Sequence, residues 1–342
     1  MELELKNKLP TPNELRENIP ISGKASQARK IRINEIKDIF RGISDKFILI
    51  IGPCSADNID GVCAYTERLA KVQEEVKDKI IIVPRIYTNK PRTTCEGYKG
   101  IMIQPNPNKS PNLLEGIKAM RELHKKILTN FYMPTADELL YPEIYSYISD
   151  ILGYVAVGAR SVENQQHRIV ASGIDVPVGM KNPTFGSTSV MLNSIKAAQM
   201  GHQFMYNNWE VKSDGNLLTH AILRGAIDSN GRNVPNYYYE DLVKLIEDYK
   251  KMKLFNPAII VDCNHSNSMK KYYEQPRIAK EVLISRRYDP AIKNIVKGLM
   301  IESYIEGGRQ EIGENIFGKS ITDACISWED SKRLIYFLAE NV

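Results

Sequence analysis

The sequence predicts an α/β fold, a (β/α)₈ TIM barrel with an N-terminal extension and a β-hairpin insertion after strand six. Short apolar runs rich in branched side chains recur eight times along the 342 residues, as expected of parallel strands buried on both faces. Amphipathic helical patterns separate the runs, and eight such pairs match a closed barrel. A polar cluster follows nearly every run, on the rim where barrels carry their chemistry. An open doubly wound sheet is the alternative. With 43% hydrophobic and 25% charged residues, disorder and fibrous repeats are excluded. The length alone fits either two domains of ~150 residues or one barrel of ~250.

Residues 1–46 precede the first run and are broken up by Pro10, Pro12 and Pro20. They are too few for a separate core, so an extension over 1–46 and a catalytic barrel over 47–342 are expected. Strands are expected at Phe47–Ile51, Ile80–Val83, Tyr132–Thr135, Tyr154–Val157, Val176–Met180, Gln203–Tyr206, Ala258–Asp262 and Gly298–Glu302. The sixth is the least apolar of these. Between the first two, Val62, Tyr65, Leu69, Val72 and Val76 recur at helical spacing, and Ile144, Tyr147, Ile148, Ile151 and Leu152 share another helical face. Asn112 with Glu115, Pro142, Pro276 and Gly201 after Met200 supply helix starts and stops. Two connections, Ile86–Pro111 and Asn207–Asn236, exceed the ~12–15 residues of an ordinary loop. The second contains Ala221-Ile222-Leu223, read as an added hairpin strand.

The net charge of +5 is not gathered into blocks, so nucleic acid is not required, while small anions are allowed. Five cysteines without a CxxC pair fit neither a disulfide framework nor a zinc ribbon. No run approaches the ~20 apolar residues of a membrane span, and the first residues lack signal or transit character. A cytoplasmic protein with no membrane partner is expected.

The strand exits carry Cys54, Arg85, Glu138, Arg160, Lys181, His265 and Glu302, and Asp323 stands before the last helix. Singly, each has a plain structural reading: Cys54 as a small core residue, His265 as a turn residue, and Asp323 as part of a Ser320–Asp323 capping box. Together, Cys54, His265, Glu302 and Asp323 form a sulfur, nitrogen and oxygen set suited to a divalent metal such as Mn²⁺, Fe²⁺, Co²⁺ or Zn²⁺. Spacing alone does not single them out. His124, His167, His202 and His220 have no such partners and are expected to be structural or exposed. Six cations, Arg85, Lys90, Arg92, Arg160, Lys181 and Arg224, could hold two phosphorylated substrates, one also bearing a carboxylate, since arginine grips such groups with paired hydrogen bonds.

From about Ala28 onward the chain resembles the type I 3-deoxy-D-arabino-heptulosonate-7-phosphate (DAHP) synthases. The motifs are Ile-Gly-Pro-Cys-Ser at 51–55, Lys-Pro-Arg-Thr-Thr at 90–94, Gly-Ala-Arg at 158–160, Ile-Leu-Arg-Gly at 222–225, Asn-His-Ser-Asn-Ser at 264–268 and Gly-Lys-Ser-Ile-Thr-Asp at 318–323. The resemblance implies condensation of phosphoenolpyruvate with erythrose 4-phosphate and water, releasing phosphate, at the start of the shikimate pathway. It implies that Cys54, His265, Glu302 and Asp323 bind the metal. Arg85, Arg160, Lys181 and Arg224 would hold phosphoenolpyruvate, Lys90 would reach both substrates, and Arg92 and Thr93 would hold the sugar phosphate. Glu138 would position the water, with Lys90 a candidate proton donor. A homodimer or homotetramer is expected.

Tyr98 stands where members commonly carry tryptophan, and Cys263-Asn264 replaces a Phe-Ser pair. Neither shifts His265. Two rivals are weighed. A 3-deoxy-octulosonate 8-phosphate synthase, using arabinose 5-phosphate, would carry Ala-Asn-Arg-Ser-Ser in place of Lys90-Pro91-Arg92-Thr93-Thr94. A noncatalytic regulatory partner on the same scaffold would be free to lose ligands, yet all four ligands and six cations are present. The extension, Tyr141-Pro142 and a shortened Trp209–Arg224 segment depart from the regulated relatives, so weak or absent inhibition by aromatic amino acids is expected.

Overall fold

The computed structural model describes residues 3–342. In chain order its strands are β1 (Phe47–Gly52), β2 (Ile80–Pro84), β3 (Ala136–Glu138), β4 (Tyr154–Val157), β5 (Val178–Lys181), β6 (Gln203–Tyr206), β7 (Trp209–Lys212), β8 (His220–Leu223), β9 (Ala226–Ile227), β10 (Asn233–Val234), β11 (Ile259–Asp262) and β12 (Val296–Glu302). Eight of them form one parallel sheet in the order β2-β1-β12-β11-β8-β5-β4-β3. Its two ends meet where Arg85 bridges Ala136 and Ile86 N–H donates to Ala136 O at 2.8 Å, which closes a (β/α)₈ barrel. Side chains alternate as a barrel requires. Ile48, Ile50, Ile81, Val83, Tyr154, Ile222, Ile260 and Met300 fill the interior, while Phe47, Leu49, Ile51, Ile82, Leu223, Val261 and Leu299 pack outward against the helices.

Two strands differ from expectation. Tyr132 adopts φ 53° and caps the helix Leu113–Phe131, its N–H donating to Leu128 O, so the third strand begins only at Ala136. Its middle residue, Asp137, accepts from the Thr88 N–H at 2.9 Å and faces buried His124 at 3.2 Å. The sixth barrel strand is β8, not Gln203–Tyr206. That segment pairs antiparallel with Trp209–Lys212 across Asn207-Asn208, both left-handed at φ 49° and 64°, as a two-residue hairpin turn requires. Ala221-Ile222-Leu223, expected as a hairpin strand, lies fully buried between β5 and β11. The large hairpin β6-β7 therefore precedes barrel strand six, and a smaller one, β9-β10, follows it.

Asn112 caps its helix as expected, accepting from Glu115 N–H, whereas the face from Ile144 to Leu152 is helical only to Ile148. Helices Pro12–Asn18 and Gly23–Phe40 precede β1. Ile36, Ile39 and Phe40 of the second enter the cluster that fills the barrel, closing the end opposite the strand exits. No helix among the described residues is long and apolar enough to cross a membrane.

Phe40 stacks on His220 at 4.1 Å. The His220 ring is fully buried, with Nε2 2.8 Å from Tyr154 Oη and Nδ1 2.9 Å from Leu218 O, so the neutral imidazole is satisfied on both sides. Burial pushes its pKa down to about 3 from 6.5. A depressed folded pKa means that the unfolded chain takes up the proton first. Its contribution, up to about 5 kcal/mol, is thus complete above pH 6.5 and is lost as pH falls toward 3. His220→Gln replaces the ring with an amide that does not titrate, and its urea midpoint is expected to fall less between pH 7 and pH 4.5 than that of the unsubstituted protein. Equal falls would contradict this.

Candidate active site

At the strand exits lies a cavity of 710 Å³ lined by Cys54, Arg85, Lys90, Arg92, Thr93, Glu138, Arg160, Lys181, Arg224, His265 and Asp323, among others. Of the residues given a metal, substrate or catalytic role from the sequence, Glu302 alone does not line it. Buried beneath, Glu302 accepts from Arg85 Nη2 at 2.9 Å.

Ligand atoms of Cys54, Glu302 and Asp323 lie within 4.8 Å of one another. His265 stands beside them, Nε2 being 3.9 Å from Glu302 Oε1, while Asp262 Oδ2 lies 2.8 Å from its Nδ1. That carboxylate stands at the ring nitrogen turned away from the group, a placement common behind metal-binding histidines. Lys90 places its ammonium 2.7 Å from Cys54 Sγ and 2.6 Å from Asp323 Oδ2, which shows that this spot attracts a cation. Burial, and then Glu302, push the Cys54 thiol up to about 12. Lys90 holds the Asp323 carboxyl well below its usual range. A divalent cation would favour the thiolate, so the donor set fits a transition metal in both charge and softness. The capping reading of Asp323 fails, because the last helix, Trp328–Asn341, starts from Ser327, which accepts from Asp330 N–H.

The cations converge from separate exits. Buried Lys181 pairs with Glu138 at 2.9 Å. Burial lowers its affinity for the proton, but Glu138, with Tyr87 and Asp262, more than offsets this and holds it above the ordinary lysine value. Glu138 is held low by the same pair against its own burial. A side chain at Gly158 would collide with Glu138, its Cβ falling 2.6 Å from Oε1, so Gly158 makes room for the carboxylate. Arg224 is buried with Nη1 unpartnered, and burial lowers its pKa. Arg92 donates to Tyr98 O at 2.9 Å and Arg160 to Thr93 Oγ1 at 3.2 Å, which joins the Lys-Pro-Arg-Thr-Thr segment to the fourth exit. Arg92 thus meets Tyr98 through the backbone, while the Tyr98 hydroxyl donates to Ala56 O.

Several functional neighbours escaped sequence reading. Tyr87 lies under Arg85 at 3.8 Å and near Lys181 at 5.3 Å, and its strand parity with Arg85 was a usable signal. Asn264 donates to Glu302 Oε2. Asn182 accepts from the Arg224 N–H at 2.9 Å. Lys270 and Arg309 add charge at the mouth. Asn182 and Asn264 stand beside Lys181 and His265 at strand exits, although no local pattern marks their contacts, and none marks Lys270 or Arg309.

A model of the DAHP synthetase I family matches residues 19–335. A Haemophilus influenzae phospho-2-dehydro-3-deoxyheptonate aldolase is 35% identical over 97% of this chain and 91% of its own length. The Tyr-sensitive Escherichia coli enzyme of that name is 34% identical over 96% and 91%. The solved structure of the Francisella tularensis phospho-2-dehydro-3-deoxyheptonate aldolase superposes with a TM-score of 0.93 at 30% identity, covering 100% of this chain and 98% of that one.

Proposed function

The chain belongs to the DAHP synthetase I family and is a transferase acting at the first step of the shikimate pathway, and we propose the following division of labour among its residues. Phosphoenolpyruvate is gripped by Arg85, Arg160, Lys181 and Arg224, deep in the cavity where charge is least screened. Erythrose 4-phosphate places its phosphate on Arg92 and Thr93 at the rim, which directs the aldehyde inward. Lys90 lies between the two and is suited to hand a proton to the new alkoxide. Glu138, paired with Lys181, orients the water that adds at C2 before phosphate leaves. The observation that carries this reading is the meeting of Cys54, Glu302 and Asp323 on the floor of a cavity lined by all six cations.

The family is metal-dependent, and Cys54, His265, Glu302 and Asp323 are proposed to hold one ion of Mn²⁺, Fe²⁺, Co²⁺ or Zn²⁺. When bound, it supplies a Lewis acid at the aldehyde oxygen. The neighbouring carbon of phosphoenolpyruvate is positioned by the cations for attack on that carbonyl. The substrates are small phosphorylated molecules. Residues 1–46 are assigned as the extension and 47–342 as the catalytic barrel, in a cytoplasmic homodimer or homotetramer that needs neither membrane nor nucleic acid. Phosphate release from phosphoenolpyruvate with erythrose 4-phosphate, set against arabinose 5-phosphate, tests the assignment.

Relatives are named for sensitivity to tyrosine, phenylalanine or tryptophan. For this chain inhibition is expected to be weak or absent, given its altered extension and hairpin region. Titrating each amino acid at subsaturating phosphoenolpyruvate checks this, and strong inhibition at micromolar concentration would overturn it.

A further inference from the structure

A second cavity, of 440 Å³, opens behind the floor of the first. Its walls include two stretches that the reaction leaves unused, Pro105–Asn108 of the first long connection and residues 310–321 after β12. Asp57 lines it with only 9% of its surface exposed. The one side-chain hydrogen bond to its carboxylate among the described residues comes from Tyr304 Oη at 3.3 Å. It makes no ion pair among the described residues, and burial pushes its carboxyl up to about 6. Lys319 is the one cation lining the cavity among the described residues, and Asp60 is paired with Lys126 at 3.4 Å, so the acid left to an occupant is Asp57, where the active site is basic. At its mouth Ile312, Ile316 and Phe317 stand 44%, 43% and 55% exposed.

We propose that this cavity is a second ligand site, for a small organic ammonium compound with an apolar body, and that its occupancy is coupled to the candidate metal centre. The ammonium pairs with Asp57, and the body covers Ile312 and Phe317. The walls are largely polar, with Asn58, Asn106, Asn108, Gln310 and Asn315 among them, and Ile312, Ile316 and Phe317 supply the apolar contact; a cavity of this volume with one buried charge is on the scale of small-molecule sites. The coupling follows from the chain path. Asp57 lies three residues after Cys54, Ile321 lies two before Asp323, and Ser55 Oγ meets Thr322 Oγ1 at 2.9 Å. An occupant therefore touches the back of both ligand-bearing segments. The site stands independently of the reaction, whereas the coupling rests on the metal reading.

Benzylammonium is the probe and benzyl alcohol its uncharged isostere. Calorimetric titration into the metal-loaded protein at mildly alkaline pH is expected to give saturable binding near ~1 mM, a ceiling-compatible affinity for so small a ligand. Binding is expected to weaken at least ~10-fold for the alcohol, for Asp57→Asn and for Phe317→Ser, the last a surface change that spares folding. No saturation, equal binding of the alcohol, or unaltered binding by both variants overturns the site. Displacement of the probe by Ca²⁺ in an Asp57-dependent way overturns the ligand class. With probe bound, Mn²⁺ affinity measured on the same protein is expected to shift at least ~2-fold, and Mn²⁺ must shift probe affinity equally. Unchanged Mn²⁺ affinity overturns the coupling alone. Failure of Mn²⁺ to bind the probe-free protein strikes the metal reading instead.

Discussion

Replacing Cys54 by alanine is expected to lower both metal content and turnover by more than ~100-fold, the scale on which even supporting residues of metal sites act. The thiol is buried between Lys90 and Asp323, where the proposed ligand atoms meet. Cys54→Ser should fall between, because an alcohol is a poorer ligand than a thiolate. The check is metal stoichiometry of the purified variants together with phosphate release, with and without added Mn²⁺. Excess chelator should silence the unsubstituted protein to the same degree, and readded metal should restore it. Full turnover in Cys54→Ala, or in chelator, would contradict the metal reading.

Lys181→Met is expected to damage both stability and activity. Methionine matches the volume but leaves Glu138, 7% exposed, without its partner at 2.9 Å. Removing one member of a buried pair costs ~3–5 kcal/mol, and Arg85, which also acts on Glu138, places the result toward the lower end. The double variant Lys181→Met/Glu138→Met removes both charges and should recover most of that loss, since an apolar pair of similar volume is often tolerated. Activity should not recover: kcat/KM is expected to stay at least ~100-fold down in both, because the cation proposed for phosphoenolpyruvate is gone. Urea unfolding and steady-state kinetics separate the two effects. A double variant as unstable as the single one would contradict the ion-pair account.

Strand signals were readable where both faces are buried, as in Phe-Ile-Leu-Ile-Ile at 47–51 and Tyr-Val-Ala-Val at 154–157. They failed where a strand carries function or where a turn was missed. Asp137 and Glu138 belong to β3 itself, one facing His124 and the other the cavity, so a polar strand read as a strand exit. Asn207-Asn208 is a hairpin turn flanked by half-exposed residues, and passing over it moved barrel strand six by seventeen positions. The candidate site was legible because barrel geometry sends every strand exit to one rim. Its supports were not, because Asn264 on Glu302 and Lys90 beside Cys54 and Asp323 are contacts between remote segments that no local pattern encodes. Asp57 was passed over for the same reason. A lone acid after Gly-Pro-Cys-Ser-Ala looks solvated until the 310–321 stretch folds over it.

The central claim is that this rim joins phosphoenolpyruvate to a four-carbon sugar phosphate held by Arg92 and Thr93. It is tested most directly by following phosphate release from phosphoenolpyruvate in the metal-loaded protein with erythrose 4-phosphate and, separately, with arabinose 5-phosphate. Release is expected to be at least ~100-fold more efficient with erythrose 4-phosphate, a discrimination of about 2.7 kcal/mol. Equal rates, or faster release with arabinose 5-phosphate, would contradict the assignment.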